Sequence, residues 1–305
     1  MAMTAAQAQD WPDRTVRFIV GQGAGSAQDL SARMFAEKLS KVWGQPVVIE
    51  NRPGADGIVS IMAFVGARDN HTFLFTASGT FAAHPVLRVK VPYDPNDLVP
   101  IAQISTTVIA VAVPTALNVS SLDELVALAK KEPGKINLAP TPGTTEITFD
   151  NFLKTTGISM TKIPYGDITK AVTDLSENRV QVVVAGVAVV KAQVDAGRVK
   201  LIAVTNHKRA PSLPDVPTAA EAGYPSLTLD GLIGLFGPKT LPAGVADRIA
   251  KDVQDAAADT TIKARVEASG QVLTPAGPAE FGEAVAAQRR NIAETAKALN
   301  IKPVQ

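Results

Sequence analysis

The loop after the first β-rich run of the sequence has a composition suited to holding a small anion. It reads Gly21-Gln22-Gly23-Ala24-Gly25-Ser26 and leads into an amphipathic segment that begins at Ala27. Backbone amides in such a loop and the positive end of a helix dipole bind anions without a charged side chain. The alternative is a tight turn that binds nothing. We expect ligand contacts from Gln22, Gly23, Ala24, Gly25, Ser26, Ala27 and Asp29.

The same loop also resembles the dinucleotide-binding pattern G-x-G-x-x-G, with Ser26 in place of the third glycine. Glu50, at the end of the second predicted strand, is placed to bind a ribose. This alternative makes the protein an NAD-dependent dehydrogenase. The missing glycine and the presence of two similar halves, instead of one six-stranded sheet, weigh against it.

A second loop of the same kind occurs in the middle of the chain. It reads Pro140-Thr141-Pro142-Gly143-Thr144-Thr145 and also joins a predicted strand to a predicted helix. Two helix N-termini on opposite sides of a cleft clamp a carboxylate. The alternative role for Thr144 is ordinary N-capping. We expect Thr141, Gly143, Thr144 and Thr145 to contact the ligand.

Two further strand ends carry polar residues that can line the same cleft. Ser78 and Thr80 follow one strand of the first half, and Tyr165 and Asp167 follow one of the second. Loops at the ends of strands often carry function, but they are also polar simply because they are exposed. Both interpretations remain open at these four residues.

The sequence lacks the patterns of a catalytic or metal-binding protein. His71, His84 and His207 are far apart and have no metal-ligand spacing, and neither a G-x-S-x-G elbow nor a P-loop motif occurs. The absence of cysteine excludes disulfides and thiolate chemistry. We expect no metal, no cofactor and no catalytic residues.

Charge and hydropathy narrow the class of partner. The 305 residues include 30 basic and 29 acidic side chains, a net charge of +1 that favours no nucleic acid partner. The longest apolar stretches, such as residues 180–190, are about half as long as a membrane span. Near the start, Ala6-Gln7-Ala8 fits the pattern that precedes signal-peptide cleavage. We interpret this as the remnant of a secretion signal, and the alternative is an Ala-rich tail.

Strand and helix patterns alternate along most of the chain, which predicts an α/β fold with parallel sheets and helices on both faces. The units group into two sheets of similar size. We expect one lobe from residues 1–104 and 228–305 and a second from residues 105–227. The chain then crosses between lobes near residues 101–108 and 227–237, and ligands bind between the lobes at the carboxyl ends of the strands.

Several motifs in the same order resemble the Bug (Bordetella uptake gene) family of solute-binding proteins. They are Pro46-Val47-Val48-Ile49-Glu50 with Asn51-Arg52-Pro53-Gly54-Ala55, Val91-Pro92-Tyr93-Asp94-Pro95, Pro164-Tyr165 with Asp174-Leu175, Ala203-Val204-Thr205, and Leu213-Pro214-Asp215-Val216-Pro217-Thr218 with Glu221-Ala222-Gly223. The resemblance extends from Trp11 onward. It implies a two-lobed type II periplasmic-binding-protein (Venus flytrap) fold, with a mainly parallel sheet flanked by helices in each lobe.

The resemblance also implies a function. It implies a monomeric periplasmic protein that holds a carboxylate with the two strand-helix loops and delivers it to the membrane subunits of a tripartite tricarboxylate transporter. Family ligands include dicarboxylates, amino acids and aromatic acids. A periplasmic sensor subunit for a membrane kinase has the same fold and pocket, so it remains an alternative.

The sequence departs from the family pattern at the predicted cleft. Family members usually carry Pro-Phe-Pro-Pro-Gly-Gly at residues 21–26, a second loop one residue longer, and an aspartate where Ala185 stands. The change at Ala185 makes that wall less anionic, which suits a second negative group or a more apolar ligand. We therefore expect a pocket of altered shape that favours a dicarboxylate or an aromatic acid.

Overall fold

The structure is a computed structural model that describes residues 11–303. The secretion-signal interpretation concerns residues 6–8 and so lies outside the described residues. Within residues 11–303, none of the helices combines the length and the apolar composition needed to cross a bilayer.

Strands and helices alternate as the sequence predicted. The strands are β1 (Val16–Val20), β2 (Val47–Asn51), β3 (Thr72–Ala77), β4 (Val99–Thr107), β5 (Ile109–Pro114), β6 (Asn137–Pro140), β7 (Thr161–Lys162), β8 (Val182–Gly186), β9 (Val199–Val204), β10 (Gly231–Gly237) and β11 (Gln271–Ala276). The helices are α1 (Ala27–Trp43), α2 (Ile58–Ala67), α3 (Ser78–Ala82), α4 (His84–Leu87), α5 (Leu122–Lys131), α6 (Thr144–Thr156), α7 (Ile168–Ser176), α8 (Val187–Asp195), α9 (Ala243–Ala257), α10 (Thr260–Ala268) and α11 (Pro278–Ala298).

The strands form two separate sheets, one for each lobe. The first has the order β11-β4-β10-β3-β1-β2, and the second has the order β7-β6-β8-β5-β9. In the first sheet β1 is parallel to β2 and β3, whereas β10 is antiparallel to β3 and β4, and β11 is antiparallel to β4. In the second, β6 is parallel to β7 and β8, whereas β5 is antiparallel to β8 and β9.

The prediction of two lobes is confirmed, but the sheets are mixed and not mainly parallel. Both parallel and antiparallel pairs occur because some strands of each sheet run toward the cleft and others run away from it. Strands β1, β3, β6 and β8 run toward the cleft and end there. Strands β5 and β10 start at the cleft, because the chain has just crossed from the other lobe, and so they run the opposite way.

The chain passes between sheets at two adjacent places. Val108 is the single residue between β4 of the first sheet and β5 of the second, and Asp230 immediately precedes β10 on the return. The predicted lobe boundaries at residues 104/105 and 227/228 stay a prediction. Residue 104 itself lies within β4, which continues to Thr107.

Alternate side chains of the strands enter different cores, which fixes each sheet between two helical layers. Phe18, Phe73 and Phe75 pack with α1 and α9, whereas Ile19 and Leu74 pack with residues of α2 and α11 on the other face. In the second sheet, Val182 and Val184 face one core and Val183 the other. Burial on both faces explains why these strands are continuous apolar runs.

Candidate functional site

A cavity of about 630 Å³ lies between the two sheets, at the ends of the strands that run toward the cleft. Its volume is typical of small-molecule sites, which span roughly 300–1,000 Å³. Both predicted loops contribute to its lining. The sequence-predicted residues that line it are Gln22, Ser26, Ala27, Thr80, Thr141, Gly143, Thr144 and Thr145.

Asp29 fixes the shape of the first loop without entering the cavity. Its Oδ2 accepts hydrogen bonds from Gly25 N (2.8 Å) and Arg33 Nε (3.0 Å), and its Oδ1 accepts one from Asn51 Nδ2 (2.9 Å). Burial acts to raise the pKa of Asp29, but the hydrogen bonds from Arg33, Gly25 and Asn51 outweigh it and hold the pKa below 3.8. The buried carboxylate therefore stays ionised and holds the loop against α1.

Other residues of this loop divide between the cavity and the solvent. Ser26 is the N-cap of α1, and its Oγ accepts a hydrogen bond from Asp29 N at 3.2 Å. Gly23, Ala24 and Gly25 are exposed and lie outside the cavity lining. Their role in ligand binding stays a prediction.

The second loop points an uncapped helix N-terminus into the cavity. The backbone amide and the hydroxyl of Thr141 both donate to Val184 O, at 2.9 and 3.1 Å, which ties the loop to β8. Gly143, and not Thr144, is the N-cap of α6, with φ 91° and ψ −134°. No side chain among the described residues caps this helix, so its first-turn amides remain available to a ligand.

The second lobe presents further helix N-termini to the same cavity. Gly186 is the N-cap of α8, which also has no side-chain cap among residues 11–303, and Ala188 and Val189 of its first turn line the cavity. Ile168 and Thr169 at the start of α7 line it as well. The positive ends of these dipoles favour an anion at this wall.

Two of the predicted site residues, Ser78 and Tyr165, make hydrogen bonds within the protein and do not line the cavity. Ser78 is fully buried and donates to Gln288 Oε1 at 2.5 Å, and Tyr165 donates to Asp174 Oδ2 at 2.5 Å. Burial and the Asp174 carboxylate raise the pKa of Tyr165 to about 12. The structure does not bring these residues into the lining.

Asp167 caps α7, with its Oδ1 accepting from Thr169 N (2.9 Å) and Oγ1 (2.8 Å), and these bonds lower its pKa. Ala185 is 2% exposed and pairs with Ala110 inside the second sheet. Gly186, one residue later, lines the cavity at this strand end. Ligand contacts by Asp29, Ser78, Tyr165, Asp167 and Ala185 remain predictions.

Sequence reasoning did not select the two carboxylates that line the cavity. Asp56 lies in a 3-10 turn between β2 and α2, and Asp230 lies where the chain returns to the first lobe. The signal for Asp56 was a charged residue within a glycine-rich turn, and Asp230 lay within a predicted crossing. The other lining residues that were not selected are Gln28, Ala77, Gly79, Thr107, Ile109, Pro142, Ile168, Thr169, Gly186, Ala188, Val189, Leu229, Gly231, Ile233 and Ser269.

The chemistry of the lining suits recognition. Asp56 and Asp230 are the only ionisable side chains in the part of the lining that the structure describes, and the other polar groups are hydroxyls, amides and helix termini. Within residues 11–303, no three His, Asp or Glu side chains converge to form a metal site. The described part of the lining therefore offers an anion neutral hydrogen-bond donors and no basic side chain, and carboxylate binding by these groups stays a prediction.

Comparison with known proteins agrees with this architecture. Residues 31–273 match the model of the tripartite tricarboxylate transporter family receptor, TctC. A UPF0065 protein of Bordetella bronchiseptica is 30% identical over 311 residues, which cover 99% of this chain and 91% of that protein. An R. palustris protein solved with adipate superposes with a TM-score of 0.81 at 26% identity, covering 96% of this chain and 100% of that chain. The periplasmic binding protein BugD superposes with a TM-score of 0.79 at 28% identity over 96% of this chain and 100% of that one.

Proposed function

Because the chain belongs to the tripartite tricarboxylate transporter receptor family, we propose that it binds a small organic carboxylate in the interlobe cavity and delivers it to the membrane subunits of such a transporter. The family consists of periplasmic binding proteins, such as BugD, and not of enzymes. The dehydrogenase alternative is therefore wrong. The resemblance to the Bug family is confirmed by the family match and by the structural neighbour BugD.

The observation that carries this proposal is the convergence of the two strand-helix loops on one cavity. Ser26 and Ala27 reach it from the first lobe, and Gly143 to Thr145 reach it from the second. The uncapped first turn of α6 offers amide donors and a positive dipole end to a single carboxylate group. A carboxylate held in this way bridges the lobes, so its binding favours their closed arrangement.

The absence of basic side chains from the described lining does not oppose carboxylate binding. A helix N-terminus supplies both hydrogen-bond donors and a partial positive charge, and its effect increases where water is excluded. The adipate in the R. palustris relative supports the choice of carboxylates as the ligand class.

Closure of the lobes requires only small backbone rotations near the two crossings. Val108 and Asp230 lie at these crossings, and hinges are commonly a few residues at the ends of elements. We propose that ligand binding shifts the protein toward a closed state, which the membrane subunits recognise. We further propose that the protein acts as a monomer in the periplasm after export by a signal peptide.

Thermal unfolding of the ligand-stripped protein tests the ligand class. The panel contains mono-, di- and tricarboxylates, aromatic acids, and NAD as a negative control. A ligand at about a hundred times its dissociation constant adds roughly 2.7 kcal/mol of stability. A higher melting temperature with carboxylates is the expected result. The proposal is contradicted if NAD alone raises the melting temperature, or if none of the carboxylates does.

Small-angle X-ray scattering tests the closure separately. With a saturating ligand from the thermal panel, we expect a smaller radius of gyration than for the free protein. Identical scattering curves with and without that ligand contradict lobe closure. Copurification with the membrane subunits of a tripartite tricarboxylate transporter distinguishes transport from sensing, since a sensor subunit instead copurifies with a membrane kinase.

A further inference from the structure

The two carboxylates that line the interlobe cavity, Asp230 and Asp56, differ in how many hydrogen bonds they accept from neighbouring groups. Asp230 Oδ2 lies 2.7 Å from His207 Nδ1, and its Oδ1 accepts from Asn206 Nδ2 and from His207 N, each at 3.2 Å. Among the described residues, the Asp56 side chain has a single polar contact, of 3.3 Å between its Oδ2 and His84 Nε2, and 47% of the side chain is exposed. An ionised carboxylate can accept about four hydrogen bonds, so Asp56 retains most of its acceptor capacity.

Buried groups behind Asp56 hold it in this position. Asp56 has φ 54° and ψ 41°, a left-handed conformation that few residues other than glycine adopt. His84 is fully buried, and its Nε2 lies 3.0 Å from Asp56 O as well as near the carboxylate. Tyr93 OH lies 2.6 Å from His84 Nδ1.

Burial raises the pKa of Tyr93, so its hydroxyl stays protonated and can donate to His84 Nδ1. The Nε2 proton of His84 is then directed at Asp56. The pair His84 and Tyr93 thus fixes a carboxylate at the cavity wall from the protein side.

Asp56 also faces a smaller recess of about 200 Å³ in the first lobe, which shares Gln22, Gln28, Asp56 and Thr80 with the main cavity. The recess has a second acceptor. Gln28 is 3% exposed and its Nε2 donates to Phe75 O at 2.6 Å, while its Oε1 accepts no hydrogen bond from the described residues. The recess is therefore rich in acceptors, whereas the opposite wall at α6 offers amide donors.

From this polarity we propose that Asp56 is a specificity-determining residue that selects carboxylates carrying an ammonium group. This inference rests on the proposed carboxylate-binding function and names the substrate class. The carboxylate of the ligand lies at the first turn of α6, and its ammonium group lies in the recess beside Asp56 and Gln28. An ammonium group has three donors and no acceptor, so it matches two acceptors and a water.

The same arrangement opposes the dicarboxylates that the sequence favoured. A second ligand carboxylate in the recess is a like charge beside Asp56, and no basic side chain of the described lining compensates for it. Such a contact costs binding free energy, while an ammonium group gains a charge-assisted hydrogen bond.

Isothermal titration of the ligand-stripped protein with matched compounds tests this assignment. The probes are 4-aminobutyrate with butyrate and succinate, 5-aminopentanoate with pentanoate and glutarate, and the α-amino acids. We expect at least one amino-carboxylate to bind tenfold or more tightly than the dicarboxylate and the monocarboxylate of its length.

Asp56→Asn provides the decisive variant, because asparagine tolerates the left-handed conformation and removes only the charge. We expect it to weaken the amino-carboxylate at least tenfold and to strengthen the matched dicarboxylate. The control is Asp247→Asn, which removes one negative charge from the exposed surface of α9. We expect this control to leave both affinities within twofold of the unmodified protein.

The results separate the two proposals. If dicarboxylates bind at least as tightly as amino-carboxylates, or if Asp56→Asn changes every affinity equally, the role of Asp56 is wrong while carboxylate binding stands. If no compound of this panel binds but another carboxylate of the thermal panel does, only the role of Asp56 is wrong. If no carboxylate of either panel binds, both proposals are wrong.

Discussion

Gly79 and Thr144 belong to opposite lobes and touch across the cleft. A β-carbon built on Gly79 lies 2.8 Å from Thr144 Oγ1, shorter than an ordinary van der Waals contact of about 3.5 Å. Gly79 is in α3, directly after β3, and Thr144 is the first residue of α6. The two strand ends meet here only because position 79 has no side chain.

Gly79→Ala is expected to weaken ligand binding about tenfold, or roughly 1.4 kcal/mol. The added methyl group holds α3 and α6 apart when the lobes approach. Titration of the tightest carboxylate of the panel measures the effect. Gly66→Ala is the matched control and should not change affinity, because Gly66 lies on an exposed turn of α2 and the new carbon has no described atom beyond its own helix backbone within 4 Å.

The double variant Gly79→Ala/Thr144→Ala separates crowding from other effects of these changes. Removing the Thr144 γ-atoms leaves its Cβ 3.7 Å from the new carbon, which is an ordinary contact. We expect a favourable coupling free energy in the double-mutant cycle. If the losses of binding free energy in the two single variants simply add in the double variant, the contact between positions 79 and 144 does not limit closure of the lobes.

Gly143→Val is expected to abolish carboxylate binding. Its φ of 91° and ψ of −134° suit glycine alone, so valine changes the backbone that directs the first-turn amides of α6. Gly157→Val, with φ 67° at the other end of the same helix, is the control. We expect both variants to lower the melting temperature but only the first to lose binding. Full binding by Gly143→Val contradicts the loop's assignment.

Asn206→Ala is expected to destabilise the protein by about 2–4 kcal/mol, because it leaves the buried Ile109 N–H without its partner and removes the hydrogen bond to Thr107 O at the first crossing. The Asn206 amide donates to Thr107 O at 3.0 Å, and its Oδ1 accepts from Ile109 N at 3.1 Å. Its contact with Asp230 joins this crossing to the second one. Urea unfolding measures the loss.

Asn291→Ala on the exposed surface of α11 is the control for this change and should alter the free energy of unfolding by less than about 0.5 kcal/mol. Equal stability of the two variants refutes a structural role for Asn206 at the crossings.

Asp29→Asn is expected to lower the free energy of unfolding by about 1–3 kcal/mol at neutral pH, because it removes a buried charge that accepts three hydrogen bonds. The pKa of Asp29 is below 3.8 in the folded state, so its contribution is complete above that pH. The contribution disappears as the pH falls through the lower, folded-state value.

Unfolding experiments at a series of pH values measure this difference. The gap between the unmodified protein and Asp29→Asn should be constant above about pH 5 and should narrow below pH 4. A gap that is independent of pH down to pH 2 contradicts the stabilising role of the ionised carboxylate. Asp247→Asn serves again as the surface control.

Local patterns predicted most elements, since amphipathic periodicity and capping residues act within a few residues of one another. Helix α1, for example, begins at Ala27, where the sequence placed the start of an amphipathic segment. Strand β4 was instead read as a crossing, because polar residues interrupt its apolar pattern. Those residues are buried through long-range bonds, including Ser105 Oγ to Gln271 Oε1 at 2.5 Å and Gln103 Nε2 to Thr274 Oγ1 at 2.6 Å.

The meeting of the two loops was predictable, whereas the rest of the cavity was not. The ends of parallel strands face the cleft by a general rule, and this rule brings Ser26 and Thr144 to one cavity. Asp56, Asp230 and Ser269 reach it through a left-handed turn, a crossing and the end of α10. Tertiary packing decides these positions, and no local spacing indicates them.

The insertion of β10 between β3 and β4 sets an order in which the chain can acquire its structure. Phe75 in β3 pairs with Leu235 of β10, and Gln103 in β4 pairs with Gly234 of β10. The centre of the first sheet therefore cannot form before β10, which follows every strand of the second sheet in the chain. The strands of the second sheet, in contrast, all lie between residues 109 and 204. Until β10 is synthesised, β3 and β4 present unpaired edges, which are templates for aggregation. The first sheet is therefore complete only when the C-terminal part of the chain is present, whereas all strands of the second sheet lie in one continuous stretch.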